Sequence, residues 1–396
     1  MKKVAFIIRT FQENSFHGGG EKLFYHLIKR FSQDGFAVDM YCSESDARQT
    51  QFINKIKILV EPYDHNVPET MEKFYKEAKN LVKNKDYDLI ISENITPPIG
   101  ITFLQGHSLA NRLKKNKNPL ESFLYTFRKV KKQRIKYQKK WMEQGYKRIF
   151  VVSEVLKQDI MENFRIPAEQ ISVVYPGVEH PAYSHPEPLC HPERSEGSFP
   201  LNAFQRGDSS AKPQNDTSIT IFGLLAPGFN IKGGFIFLKA LKILKEKGYE
   251  VKAKIIYPKY NKNIGVKTLV KLYNLTDTVE FLPYQKDINA FYDSINCLAV
   301  PSLEDTFNIA ALEAMSRRKP CIISKNAGAR EIIQHKVNGF TFKNTPELLA
   351  ENMMFFIDNS SLHNSLSEAA FETAKNYSWD RTYKNFLEEL ERTKIL

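Results

Sequence analysis

The sequence predicts an α/β protein of two doubly wound domains, on three observations: its length, two separate runs of alternating strand and helix patterns, and a break in periodicity between them. At 396 residues the chain exceeds the roughly 250–300 residues beyond which a single hydrophobic core stops growing. Short apolar runs alternating with amphipathic segments imply βαβ units, whose strands pair in parallel.

The first run opens with a strand over 4–8, an amphipathic helix over about 20–32 and a strand over 37–42. It continues through strand patterns at 56–60, 88–92, 101–104 and 148–152, with a helix near 69–84 and another starting at Ser153, which is placed as its N-cap. The second run begins with a strand over 218–222. A helix over 234–246 leads to a strand over 250–256, and later strands fall at 278–281, 296–300 and 320–324. Between the runs, roughly 181–216 loses all periodicity and fills with Pro, Ser, His, Glu and Asn. Such a composition cannot bury enough apolar surface to offset ordering entropy, so the segment is expected to be a disordered insertion. Its string HPERSEGS, followed by DSSAKPQNDT, looks like a translated genomic repeat, so its histidines and Cys190 are set aside as ligands.

The apolar fraction of 42% and charged fraction of 26% are those of a soluble globular protein. No run approaches the roughly 18 apolar residues that a membrane span needs, so no transmembrane helix is expected. The apolar run after Lys2 and Lys3 is too short for a secretory core, and Cys42, Cys190, Cys297 and Cys321 lack metal-ligand spacing. A reducing cytoplasm is therefore the expected compartment.

The net charge of +12 is concentrated. Residues 112–148 carry fourteen Lys or Arg against Glu121 and Glu143, an excess as large as that of the whole chain. Within this stretch Phe123, Phe127, Val130, Tyr137 and Trp141 recur at near-helical spacing among Arg128, Lys129, Lys131, Lys132, Arg134, Lys136, Lys139 and Lys140. A helix with an apolar stripe in a cationic surround suits an anionic membrane surface. The competing reading is that the stripe packs onto the first domain and the charges are solvated. A nucleic-acid partner is not expected, because no recognised nucleic-acid motif is present.

Two segments carry chemistry. HGGGEK, His17 to Lys22, follows the first strand and opens the first helix, where glycines let a phosphate approach backbone amides at a positive helix end. A plain tight turn is the alternative. PSLEDTFNIAALEAM, 301–315, follows the buried strand pattern 297–300. Asp305 falls where strand gives way to helix, at the sheet rim where open α/β folds bind ligands, and Glu313 lies eight residues on in an apolar setting. Amides near Phe307, Asn308 and Ile309 are free to face an anion.

This stretch resembles the acidic-x7-Glu signature of the retaining glycosyltransferases of family 4, with Asp305 in place of the more usual first Glu. GGGE (18–21), VVSEVLKQDI (151–160), VVYPGVE (173–179), FGLLAPGFNIKGG (222–234), NAGAREII (326–333) and NGF (338–340) match the same family in order, and YSWDRTYKNFLEEL (377–390) looks like its closing helix. The resemblance implies the GT-B fold: two Rossmann-like doubly wound domains facing each other across a cleft. Residues 1–180 would bind the acceptor, 217–376 the donor, and 377–396 would cross back to the first domain.

The resemblance further implies a UDP- or GDP-sugar donor, a hexose-type sugar, retention of configuration and no catalytic metal. The acceptor would be a bacterial cell-surface glycan, such as lipopolysaccharide, or a lipid-linked glycan at the cytoplasmic face of the membrane, with the protein peripheral there. Lys232 matches the lysine on the donor diphosphate, where negative charge develops as the nucleotide leaves. Glu313 would accept the ribose hydroxyls, Asp305 would hold those of the transferred sugar, and Phe307, Asn308 and Ile309 would bind sugar and phosphate. Gly18 and Gly19 would let the first domain close over the diphosphate, and His107, in LQGHS, matches a histidine near the sugar at the reacting face, which with Asp305 and Lys232 would make up the catalytic residues. Two positions depart from the pattern: Leu224 stands where many relatives have an Arg, and Tyr257 and Pro258 replace a Gly-rich turn. They leave open a second reading, a degenerate GT-B protein that binds nucleotide sugar or glycan without transfer.

Overall fold

The computed structural model describes residues 1–11, 19–45, 51–59, 67–83, 85–108, 129–180, 219–285 and 287–396. The proposed insertion, Gly18 and the first half of the basic stretch lie outside the described residues.

The N-terminal unit runs β1 (Lys3–Ile7), β2 (Thr10–Phe11), α1 (Gly19–Gln33), β3 (Ala37–Cys42), β4 (Glu44–Ser45), β5 (Lys55–Ile58), α2 (Pro68–Lys83), β6 (Leu89–Glu93), β7 (Ile101–Leu104), α3 (Lys129–Gln144), β8 (Ile149–Val151), α4 (Glu154–Phe164) and β9 (Ile171–Val173). Its sheet has the order β5-β3-β1-β6-β7-β8-β9, every pairing parallel. Strands covered on both faces read as continuous apolar runs, as in Val4–Ile7 and Ile101–Leu104, where every residue is buried. The chain leaves β1 to build one side of the sheet and returns to β6 for the other, so the order reverses between β1 and β6.

The C-terminal unit runs β10 (Thr220–Leu225), α5 (Gly234–Glu246), β11 (Val251–Ile256), α6 (Ile264–Leu272), β12 (Val279–Leu282), α7 (Ile288–Asp293), β13 (Cys297–Val300), α8 (Ile309–Met315), β14 (Cys321–Ser324), β15 (Gly339–Phe342), α9 (Pro346–Asp358), α10 (His363–Lys375) and α11 (Trp379–Arg392). Its parallel sheet, β12-β11-β10-β13-β14-β15, reverses between β10 and β13. Both units are thus doubly wound, with a switch point in each sheet.

Sequence chemistry sets the element ends. Ser153 caps α4, its hydroxyl accepting from the Leu156 amide at 3.1 Å, and Arg165 in the left-handed region (φ 57°) ends it. Ser378 caps α11 in the same way. In α11, Trp379, Thr382, Tyr383, Phe386 and Leu390 are buried, a helical stripe that faces the N-terminal unit. The Phe386 ring lies 4.6 Å from that of Phe150 and 5.6 Å from that of Phe103. Arg30 on α1 pairs with Asp380 at 2.8 Å.

The described half of the basic stretch behaves differently from a membrane stripe. Trp141 and Met142 are buried in the N-terminal core, and Tyr137 packs 5.5 Å from Trp141. Lys132, Lys136, Lys139 and Lys140 are exposed, and Lys140 reaches Glu72 on α2 at 2.6 Å. The expectation that Trp141 and Tyr137 belong to a surface-facing stripe is therefore corrected: removing their apolar area from water favours packing over display. Cys42, Cys297 and Cys321 are buried and unbridged, and burial pushes the Cys297 and Cys321 thiols above their ordinary range. No helix among the described residues is long and apolar enough to cross a membrane.

Candidate active site

In open α/β sheets, ligands collect beyond the carboxyl ends of the strands at the switch point. A cleft of about 670 Å³ lies there, between the loops after β10 and β13 and the first turn of α1.

After β10 the chain turns through 226–233. Gly233, in the left-handed region (φ 76°), ends the turn and caps α5. A Cβ there would lie 1.9 Å from the Pro301 carbonyl oxygen, so only glycine lets this turn press against the chain leaving β13. That contact sets Lys232 beside Asp305, with Nζ 2.6 Å from Oδ2. Asp305 Oδ2 also accepts from Asn308 Nδ2 at 2.7 Å and Ser302 Oγ at 3.4 Å. Asn308 adopts φ 82° and caps α8 through the Ala311 amide. The NAGAREII segment braces this loop: Asp305 donates its amide to the Asn326 carbonyl at 3.2 Å and accepts from the Gly328 amide at 3.1 Å.

Glu313, on α8, accepts from the Tyr292 hydroxyl at 2.7 Å through Oε2, while Oε1 meets Lys22 Nζ of α1. Burial, and then the Glu313 charge, push the Tyr292 phenol far above its ordinary value, which keeps it a donor. Opposite, a Cβ on Gly19 would lie 2.8 Å from Ile309 Cδ1, so a side chain at 19 would require the end of the Ile309 side chain to shift.

The units also meet on the cleft floor. Thr306 Oγ1 donates to the Gln105 carbonyl at 2.7 Å, Ser153 Oγ donates to the Thr306 carbonyl at 2.5 Å, and Glu331 accepts from the Glu154 and Val155 amides at 3.0 and 2.8 Å. At one end the wall is apolar, formed by Leu225, Ile256, Pro258 and Ile288, with Tyr284 at the rim.

The cleft thus brings together Gly19, Lys232, Asp305, Phe307, Asn308, Ile309 and Glu313. His107 lies outside its lining. Its side chain is buried, Nδ1 sits 2.8 Å from Asp159 Oδ2, and the Ser108 amide and hydroxyl bond the same carboxylate at 3.1 and 2.9 Å. Burial opposes ionisation of Asp159, but the His107 and Ser108 hydrogen bonds hold its carboxyl below its ordinary value. Leu224 points into the C-terminal core, 1% exposed, and the next residue, Leu225, faces the cleft. Three residues that motif reading passed over also belong here: Lys22, Gln105 and Thr306. Each lies inside a quoted motif: Lys22 directly after GGGE, Gln105 in LQGHS, and Thr306 directly after Asp305. Among the described residues no cluster of three or more His, Cys, Asp or Glu is placed to hold a metal.

The family described as Glycosyltransferase Family 4 matches residues 17–180, and that described as Glycosyl transferases group 1 matches residues 208–373. With the fold, these matches define the class that the chain resembles: its two units are similar to the two domains of GT-B glycosyltransferases. An uncharacterized glycosyltransferase of Methanocaldococcus jannaschii is 26% identical over 90% of this chain and 89% of its own. The chain spans only 26% to 48% of the length of the first curated relatives it matches. Among solved structures, WaaG, a glycosyltransferase involved in lipopolysaccharide biosynthesis, superposes over 98% of this chain and 99% of its own (TM-score 0.72, 16% identity). Anabaena HepE in complex with UDP-glucose covers 99% of this chain and 100% of its own (TM-score 0.68, 16% identity).

Proposed function

We propose that this chain is a retaining glycosyltransferase that moves a hexose-type sugar from a UDP- or GDP-sugar to a glycan or lipid-linked glycan acceptor at the cytoplasmic face of the membrane. The observation that carries this reading is the convergence of Lys232, Asp305 and Glu313 on one cleft at the switch point of the C-terminal sheet. The two family matches and the likeness to a UDP-glucose complex support it.

In this reading Glu313 takes the ribose hydroxyls, with the Tyr292 hydroxyl fixing the carboxylate. The apolar wall around Ile256 and Pro258 receives the base. Asp305 holds hydroxyls of the transferred sugar, and Phe307, Asn308 and Ile309 line the sugar and diphosphate. Lys232 then leaves Asp305 for the diphosphate, where it neutralises charge that grows as the bond to the anomeric carbon breaks. His107 acts as a positioning residue: tied to Asp159, it fixes the 105–108 segment that carries Gln105 into the cleft. Gly19 lets the N-terminal unit approach, and Gly18 is assigned the same role from sequence. No resident metal is assigned.

Residues 112–148 are assigned to an anionic membrane surface through their lysines and arginines, with Tyr137 and Trp141 serving as the anchor of α3 in the core. The second reading, binding without transfer, rests on Leu224, whose burial leaves the end of β10 without a cation.

The test is thermal stabilisation by UDP-, GDP- and ADP-sugars, followed by turnover with the donor that stabilises. A donor at about 100 times its dissociation constant adds roughly 2.7 kcal/mol. Stabilisation with turnover is expected; stabilisation without turnover against a broad acceptor panel would favour the second reading. No stabilisation by any donor would remove the transferase reading and leave of the second only glycan binding.

A further inference from the structure

Among the described residues lining the cleft, the cations are Lys22 and Lys232 and the carboxylates are Asp305 and Glu313. Each cation is held by one carboxylate: Lys232 by Asp305 within the C-terminal unit, and Lys22 by Glu313 across the cleft, over 291 residues of sequence. Among the described lining residues the charges therefore balance, and both ammonium groups are taken. The four side chains are only partly solvated, with exposures of 29% for Lys22 and Lys232, 16% for Glu313 and 9% for Asp305.

A nucleoside diphosphate sugar brings hydroxyls and anionic oxygens into this balance together. Ribose hydroxyls on Glu313 compete with Lys22, just as sugar hydroxyls on Asp305 compete with Lys232. A partly desolvated ammonium that loses its carboxylate needs another anion nearby, and the diphosphate is that anion. The end of β10 offers no rival, because Leu224 is core and Leu225 is apolar. Lys22 stands in the first turn of α1, where the missing side chain of Gly19 lets that turn meet Ile309 of α8.

We infer that Lys22 is a second diphosphate ligand, supplied by the N-terminal unit and held by Glu313 until the donor ribose takes that carboxylate. This rests on the donor-binding reading above and extends it to a residue of the opposite wall. Binding of the nucleotide half and delivery of the second cation are then one exchange. The diphosphate lies between one lysine from each unit, so leaving-group charge is met only when the cleft is closed.

The test is calorimetric titration of the full chain with UDP, GDP and ADP at fixed ionic strength, to find which diphosphate the wild type binds. Lys22→Ala, Lys22→Gln and Lys22→Arg are then titrated with that diphosphate and with its parent nucleoside, with melting temperatures as a folding control. Lys22→Ala and Lys22→Gln are expected to weaken the diphosphate by about tenfold or more, as for loss of a charged hydrogen bond. Nucleoside affinity should be unchanged or improved, because Glu313 loses a competitor, and Lys22→Arg should retain most of the diphosphate affinity. Diphosphate binding by Lys22→Ala as tight as wild type or tighter would overturn the inference, leaving Lys22 as a brace that merely occupies Glu313. If the wild type binds none of the three diphosphates, the donor reading itself fails, an outcome distinct from the first.

Discussion

At the scale of single residues, the cleft depends on side chains whose partners are charges. Lys232 is part-buried and its partner is the Asp305 carboxylate, so Lys232→Ala should leave the melting temperature within a few degrees of wild type. Glu313→Ala should lower it by more, because the buried Tyr292 hydroxyl loses its acceptor, at a cost of about 1–3 kcal/mol. Each is expected to lower kcat/KM with the true donor by about 100-fold or more, the scale seen when a group that meets developing charge is removed. Wild-type kinetics in either purified variant would remove its assignment. A second residue-scale consequence concerns pH. His26 on α1 stacks on Trp379 of α11 at 4.3 Å. Burial, with the Arg30, Lys29 and Lys22 charges after it, lowers its pKa to about 3. The Glu179 carboxylate 3.9 Å away is exposed and does not offset these. A histidine held neutral in the fold adds stability that is full above the unfolded value near 6.5 and is lost as pH falls toward 3. Denaturant unfolding should show wild type losing stability relative to His26→Phe across that window, by at most about 1.4 kcal/mol per pH unit. A constant difference between pH 7 and 4.5 would contradict it.

At the scale of elements, α3 divides its duties by face. Trp141 and Met142 anchor it, and Lys132, Lys136 and Lys139 stand outward. Basic residues near an anionic surface contribute about 1 kcal/mol each, and that attraction is screened by salt. Co-sedimentation with liposomes is thus expected to rise with anionic lipid content and fall with ionic strength. It should weaken when Lys132, Lys136 and Lys139 are changed to Glu, a triple variant that spares Lys140 and its pair with Glu72. Equal partitioning to neutral and anionic vesicles, or none to either, would sink the membrane assignment.

At the scale of the whole molecule, the last helix joins the halves. Phe386 comes from the end of the chain yet fills the N-terminal core between Phe31, Phe103 and Phe150. Phe386→Ala should cost about 3–5 kcal/mol of stability, the range for emptying a packed aromatic site. Its measured effect should appear in unfolding of the N-terminal unit; a loss under 1 kcal/mol would mean that α11 is not part of that core. The cleft floor adds polar links between units, through Thr306, Ser153 and Glu331.

Local periodicity by itself determined that both halves are doubly wound, because strands buried on both faces and helices buried on one leave different repeats in the chain. Short-range chemistry likewise marked the Ser153 cap, the place of Asp305 at the sheet rim and that of Glu313 eight residues on, whereas Lys232 was marked by the family resemblance alone. Only the tertiary structure decided how the charges pair: nothing near Lys22 in sequence names Glu313, 291 residues away, as its partner. The same holds for Trp141, whose aromatic stripe reads alike whether it meets a membrane or a core, and for His107, whose loop position gives no sign that Asp159 draws it behind the cleft wall. Periodicity reports which face of an element is apolar. Which surface covers that face, and which opposite charge a side chain meets, depends on how distant elements pack.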